Sequence, residues 1–343
     1  MKQKFCGCPR DWPQPVSRCL ALMILIILLS VRPSYAMTDG YPLGKHDERI
    51  ETWAFYSKIN LPGKDGALYL GMFFCSGSLY FLKGNFAHIF WLDMSTGKYT
   101  YENNIFLPPF EKVTHCEKNL NEKYQDSFFR YNTRGKNFLA YASFEKICAK
   151  LTLFPEKDTF DCDQVCQRDP EKKKFDWYMY PRMNIEASLN GGYDLCASGQ
   201  GHFQHFWGDK IHESGDVLVA HLDSGYDITI NDIPPLEDDS SMLPEVYMLI
   251  SDPDGKVEKI SSFEYSVRKW APSGNNGKKY PVLVSIKSND INLDLDIRVF
   301  KNDQISNMLG VEKWFGYAAI EGRIDNKPQK GWAFFSPVGK KVK

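Results

Sequence analysis

The chain predicts an all-β fold, with antiparallel strands closing as a sandwich or barrel. Three observations point there. Apolar runs are short and separated by Gly, Pro, Asn and Asp turn clusters. Ile291, Leu293, Leu295, Ile297 and Val299 alternate with Asn292, Asp294, Asp296 and Arg298, which is one buried and one wet face. No long helical period competes with these patterns. Element by element, Trp53–Leu61 and Ala67–Cys75 flank Pro62-Gly63-Lys64-Asp65-Gly66 and read as a hairpin. Asp216–Leu222 and Tyr226–Asn231 flank Asp223-Ser224-Gly225. Val246–Ile250 and Val257–Val267 flank Asp252-Pro253-Asp254-Gly255, a strong turn signal. Trp314–Ile320 and Gly331–Phe335 form a last hairpin around Asn326-Lys327-Pro328.

Three regions break the strand rhythm. Glu102–Asn137 is long and polar, with Pro108-Pro109, and reads as an extended excursion with some helix. Pro155–Lys174 is a charged loop. The acidic stretch Pro234–Pro244 reads as an interdomain connection, giving domains at 37–235 and 236–343. Between them lies Gly199–Lys210, G-Q-G-H-F-Q-H-F-W-G-D-K, rich in glycine, aromatic rings and imidazoles. It reads as backbone wrapped closely around a pocket rather than as a plain buried strand.

The N-terminus carries Lys2, Lys4, Arg10 and Arg18, then an apolar run from Cys19 to Val31, then Ser34-Tyr35-Ala36. This is the pattern of a signal peptide over 1–36, cleaved after Ala36, and the run is short for a bilayer span. The rival reading is an uncleaved N-terminal anchor. Without 1–36 the chain is more acidic than its full-length net charge of −1. That disfavours nucleic acid as a partner. Cys75, Cys116, Cys148, Cys162, Cys166 and Cys196 remain. In an oxidising compartment they favour disulfides, with Cys162 or Cys166 fastening the charged loop. The alternative is a metal site on Cys162, Cys166 and His115, although a lone C-x₃-C pair is weak evidence.

The order of motifs carries a resemblance. It runs from Trp53-Ala54-Phe55-Tyr56 to the glycine-rich stretch ending in Trp207-Gly208, then the Val217–Ile230 strand-turn-strand. Asp252–Gly255, Trp270…Tyr280-Pro281 and Trp314-x-Gly316…Gly322…Gly331 follow. Across residues 50–339 this resembles the secreted carotenoid hydratase-like, AttH-type proteins. The resemblance implies two lipocalin-like antiparallel β-barrel domains, with long loop insertions in the first. It also implies a hydrophobic small molecule (lipid, terpenoid or polyene) held at the barrels and, in some members, water addition to an alkene. Fungal relatives of similar fold resemble cyclisation catalysts. The chain departs from the pattern at three acid positions, where it has Gln204, Phe315 and Phe334 or Phe335. Alkene hydration needs a proton donor, so the chemistry is either lost or carried by another acid.

His205 and Asp209 are the residual acid candidates; a histidine bonded to backbone and a plain Gly-Asp turn are the bland readings. Trp53, Tyr56, His202, Trp207, Trp314 and Trp332 are the candidate ligand wall, or else barrel plugs, since aromatics dominate β-cores. On a strand, His202 and His205 point to opposite faces, which argues against joint metal ligation. There is no G-x-S-x-G, phosphate loop or dinucleotide fingerprint, so no nucleotide cofactor is expected. The function classes left are an exported carrier of a hydrophobic molecule, a hydratase or isomerase-type lyase, and a non-catalytic envelope protein with peripheral membrane association. Export predicts that N-terminal sequencing of the exported protein begins at Met37; an intact Met1 on that form would refute cleavage.

Overall fold

The computed structural model describes residues 50–63, 66–79, 82–106, 113–114, 120–161, 175–191, 195–208, 217–233, 245–273, 277–308 and 311–341. The signal segment, Cys116, Cys162, Cys166, Asp209, His115 and Pro234–Pro244 lie outside them. So does the disulfide expected at Cys162 or Cys166. Cys75, Cys148 and Cys196 are free thiols.

Every regular element among the described residues is a strand. The first sheet holds β1 (Ile50–Asn60), β2 (Ala67–Leu79), β3 (Leu82–Asp93), β4 (Lys98–Phe106), β5 (Val113–Thr114) and β6 (Asn121–Tyr124). It continues with β7 (Ser127–Asn132), β8 (Asn137–Ser143), β9 (Cys148–Pro155), β10 (Phe160–Asp161), β11 (Phe175–Asn190) and β12 (Leu195–Gly208). Its order is β4-β3-β2-β1-β12-β11-β9-β8-β7-β6-β5, with β10 beside β11. The sheet curls until Tyr124 of β6 meets Phe74 of β2 and Phe106 of β4, at ring separations of 5.2 and 5.8 Å.

The second sheet holds β13 (Val217–Leu222), β14 (Asp227–Ile233), β15 (Glu245–Ser251), β16 (Val257–Ile260), β17 (Glu264–Pro272) and β18 (Lys278–Ser288). It adds β19 (Leu293–Val299), β22 (Gly316–Ile324), β23 (Lys327–Ser336) and β24 (Lys340–Lys341), while β20 (Ile305–Met308) and β21 (Val311–Trp314) pair separately. The order is β16-β15-β14-β13-β23-β22-β19-β18-β17, with β24 on β18. Two antiparallel, barrel-like sheets are the architecture that the lipocalin-like resemblance implied.

Several local expectations are corrected. The excursion over 102–137 is not partly helical where described; it holds strands from β4 to β7, with a tight turn at Gln125-Asp126 between β6 and β7. Asn121 and Lys123 of β6 are exposed, while Glu122 of β6 and Ser127 of β7 are buried. Gly199–Gly208 is a strand, deep in the first sheet between β1 and β11. Its glycines serve close backbone approach: a Cβ on Gly201 would sit 2.1 Å from the Tyr56 carbonyl oxygen. The run 257–267 splits at Ser261–Phe263, and its halves join opposite ends of the sheet order. The last hairpin turns at Asp325-Asn326, with φ of 49° and 61°, a conformation Asp and Asn tolerate. The first sheet ends with β12 at Gly208, and the second begins with β13 at Val217, which pairs with β23.

The two sheets pack through their outer faces. Ala54, Tyr56, Tyr69, Phe73, Phe86 and Phe90 of the first form one apolar cluster with Tyr317, Trp332 and Phe334 of the second. A second patch joins Trp177 and Met179 to Val219, Tyr247 and Leu249. This is why Trp53-Ala54-Phe55-Tyr56 reads as an unbroken apolar run: odd positions enter the first barrel, even ones the interface. Gly201→Ala should therefore lower stability by about 1–3 kcal/mol, measured by urea unfolding, because the carbonyl it meets belongs to a paired strand and cannot yield cheaply.

Candidate functional site

The register of β1, β12 and β11 stacks inward-facing side chains in rows. Glu51, Trp207 and Asp176 are opposite one another near the strand ends; Trp53, His205 and Tyr178 form the next row, then Phe55, Phe203 and Tyr180. In this arrangement His205 Nε2 lies 2.8 Å from Glu51 Oε1, with side-chain exposures of 0% and 1%. Trp53 stacks on the imidazole at 5.1 Å, Trp207 lies tilted at 4.7 Å, and Tyr178 meets it edge-on at 5.2 Å. The Trp53 indole N–H is buried without a hydrogen-bond partner among the described residues. Below this group the barrel is filled by Phe55, Phe74, Phe129, Phe138 and Phe203. Trp207 is half-buried, whereas Trp53 and His205 are buried.

The other face of β12 carries a second histidine assembly. His202 Nδ1 is 2.9 Å from His221 Nε2, and His221 Nδ1 is 2.8 Å from Asp227 Oδ1. His221 and Asp227 are opposed in the β13–β14 hairpin. Arg182, in the register shift of β11, donates through Nε and Nη2 to Asp227 at 2.9–3.1 Å and through Nη2 to the carbonyls of Leu222 and Tyr226. Lys157 Nζ sits 2.7 Å from Asp227 Oδ2. Burial would raise the Asp227 carboxyl, but the His221 hydrogen bond and the Arg182 guanidinium outweigh it and hold it below the ordinary carboxylate range. Burial pushes His202 and His221 down, so both stay neutral. An ionised Asp227 then accepts a hydrogen bond from His221 Nδ1–H, and His202 Nδ1–H donates to His221 Nε2. This assembly clamps the two sheets together.

A third histidine, His88 on β3, also lies between the sheets. It contacts Asn103 through Nδ1 and lies 3.2 Å from Ser306 Oγ through Nε2. Burial lowers it to about 4.

The candidate residues thus fall in three places. Trp53, His205 and Trp207 share the mouth of the first barrel. Tyr56, His202 and Trp332 lie between the sheets, with Tyr56 stacked on His202 at 4.9 Å and Trp332 on His221 at 4.4 Å. Trp314 is in the second barrel's core, its indole N–H donating to the Asn302 carbonyl at 2.9 Å. Sequence reasoning missed Glu51, although its spacing from Trp53 and Phe55 already places it on the same strand face. Phe315 and Phe334, at positions where the resembled pattern carries acids, meet between the sheets at 6.4 Å. An open cleft of about 670 Å³, lined by Asn60, Lys150, Glu186, Ser188, Cys196 and Ser198 among others, sits at the opposite end of β1 and β12. It is open and polar-rimmed, and it shares no residue with the histidine assemblies.

Fold and site together define a two-barrel, lipocalin-like β-protein with a buried carboxyl–imidazole pair at one barrel mouth. Solved structures share this architecture. A candidate AttH from Nitrosomonas europaea aligns with a TM-score of 0.71 at 18% identity, over 89% of this chain and 98% of that one. Kievitone hydratase from Nectria haematococca aligns with a TM-score of 0.67 at 12% identity, over 84% of this chain and 89% of that one. No protein-family model and no curated protein matches the sequence.

The buried histidines predict the acid limb of stability. His88, His202 and His221 are depressed by burial, so the unfolded chain takes up protons first as pH falls below about 6.5, and stability declines from there. Asp227 adds a loss of the same sign as pH falls through the carboxylate range. His88 alone accounts for about 3 kcal/mol between pH 6.5 and 4. Denaturant titrations across this range should show the limb, and His88→Gln should make it shallower by roughly that amount.

Proposed function

We propose that the mouth of the first barrel takes an apolar small molecule and that Glu51 and His205 move a proton on it, as in adding water to an alkene. The observation that carries this reading is the 2.8 Å Glu51–His205 contact, both groups buried among Trp53, Trp207 and Tyr178. Asp227 is engaged by Arg182, Lys157 and His221, and Asp93 caps its own turn through Ser95. Glu51 meets an imidazole, a partner that can itself take or give a proton. A carboxyl in a dry apolar site serves as a general acid near neutral pH.

The balanced steps are short. Glu51 gives its proton to one alkene carbon, and the neighbouring carbon becomes cationic beside the aromatic faces, which favour positive charge. Water adds to that carbon, His205 takes the proton that water releases, and the proton returns from His205 to Glu51. The kinship of fold with kievitone hydratase supports this reaction class. The reading includes export through the apolar N-terminal run, and it needs no nucleotide cofactor. A second reading, a carrier without chemistry, is favoured by Phe315 and Phe334, which leave the space between the sheets aromatic where the resembled pattern has acids.

Isoprenoid alkenes incubated with the protein in heavy-oxygen water test both. Hydration predicts heavy oxygen in the product, and Glu51→Gln should lower incorporation by about a hundredfold or more. Quenching of tryptophan fluorescence by the same alkenes should persist in that variant, because a proton donor mainly stabilises the transition state. Quenching without incorporation in the wild type would leave the carrier reading; no quenching would refute both.

A further inference from the structure

We propose that the end of the second sheet formed by β17, β18 and β24 docks on an anionic phospholipid bilayer. Residues 265–281 and 337–343 contain no Asp or Glu, yet carry Arg268, Lys269, Lys278, Lys279, Lys340, Lys341 and Lys343. These stretches are distant in sequence, and the topology brings them together: β24 pairs with β18, setting Lys279 opposite Lys340 and Lys278 opposite Lys341. Like charges directly opposed on neighbouring strands destabilise a sheet. The Lys279–Lys340 opposition is a cost that an anionic surface would remove.

Arg268 and Lys269 extend the patch. Both are exposed, at the register shift of β17, which is the terminal strand of this sheet. Lysines on an edge strand also guard against edge-to-edge pairing. That role does not explain Lys279, because β18 has a neighbour on each side there, Pro272 of β17 and Lys340 of β24. Lys340 Nζ lies 4.6 Å above the half-buried Trp270 ring, which places an indole beside the cations, and indoles favour the headgroup region. Asp303 also reaches this end of the sheet, accepting from Ser273 Oγ at 3.3 Å. The partner is a bilayer rather than nucleic acid because the whole chain is net negative at −1. The inference is independent of the Glu51 chemistry.

Vesicle flotation with the full chain tests it. Vesicles of phosphatidylcholine with about a quarter phosphatidylglycerol should bind the protein, and added salt should release it. Pure phosphatidylcholine vesicles measure any contribution of the apolar run at 19–31. Lys279→Glu should weaken the phosphatidylglycerol-dependent binding about tenfold. The same change should raise the thermal midpoint, because it replaces a like-charge opposition by an attractive one. A purely structural role for these lysines predicts a lowered midpoint instead. Equal binding to both vesicle types, or binding indifferent to both Lys279→Glu and Arg268→Glu, would overturn the proposal. So would a heparin affinity matching that for the anionic vesicles.

Discussion

Because the outer face of the first sheet is covered by the second, the strands at the contact must bury side chains on both sides. β1 puts Trp53 and Phe55 into its barrel and Ala54 and Tyr56 against the partner sheet. β23 does the converse, with Ala333 and Phe335 in the second core and Trp332 and Phe334 at the contact. A strand of this kind has no wet face to spare for a charge. Each polar group on it must find its partner inside the protein or cost on the order of 1–3 kcal/mol. The histidine assemblies follow from this constraint: His202, His205 and His221 lie on such strands and are bonded to one another or to a carboxylate.

The same constraint decides what was legible in the sequence. The alternation over β19 was readable because one face of that strand meets water: Leu293, Leu295, Ile297 and Val299 are buried while the residues between them are not. The Asp252–Gly255 turn was readable from turn chemistry alone. β12 was not, because burial on both faces removes the period-two signal, and its glycines look like loop until the carbonyl opposite each is known. Glu51 sits just inside the start of β1, where an acid normally reads as solvated; only the register that places it beside His205 and Trp207 shows otherwise. His221 and Asp227 flank the Asp223-Ser224-Gly225 turn and were within reach of hairpin reasoning. Arg182 was not, since nothing local in the sequence announces a contact between sheets.

The two carboxyl–imidazole assemblies differ in their surroundings, and that difference separates architecture from chemistry. Asp227 has a guanidinium and an ammonium within salt-bridge distance as well as His221. A carboxylate so engaged stays ionised and cannot serve as an acid. The excess positive charge of Arg182 and Lys157 also works against a second cation on His221, which is depressed by both. Removing Asp227 would strand two buried cations, a loss on the order of 3–5 kcal/mol for broken buried pairs. The assembly is therefore suited to hold the sheets together in one register and poorly suited to move protons.

Glu51 and His205 sit in a different setting, at the other face of β12. One carboxyl and one imidazole face each other within aromatic walls, at the barrel end where Trp207 meets solvent. The two groups meet at 2.8 Å wholly inside the protein. Aromatic faces add attraction for a transient cation without supplying a competing base. Below them the barrel is filled by phenylalanines, and the Trp53 indole N–H is buried without a hydrogen-bond partner among the described residues. The chain thus separates two tasks on the two faces of β12: His202 fastens the sheets, and His205, three residues further on, meets the carboxyl at the barrel mouth.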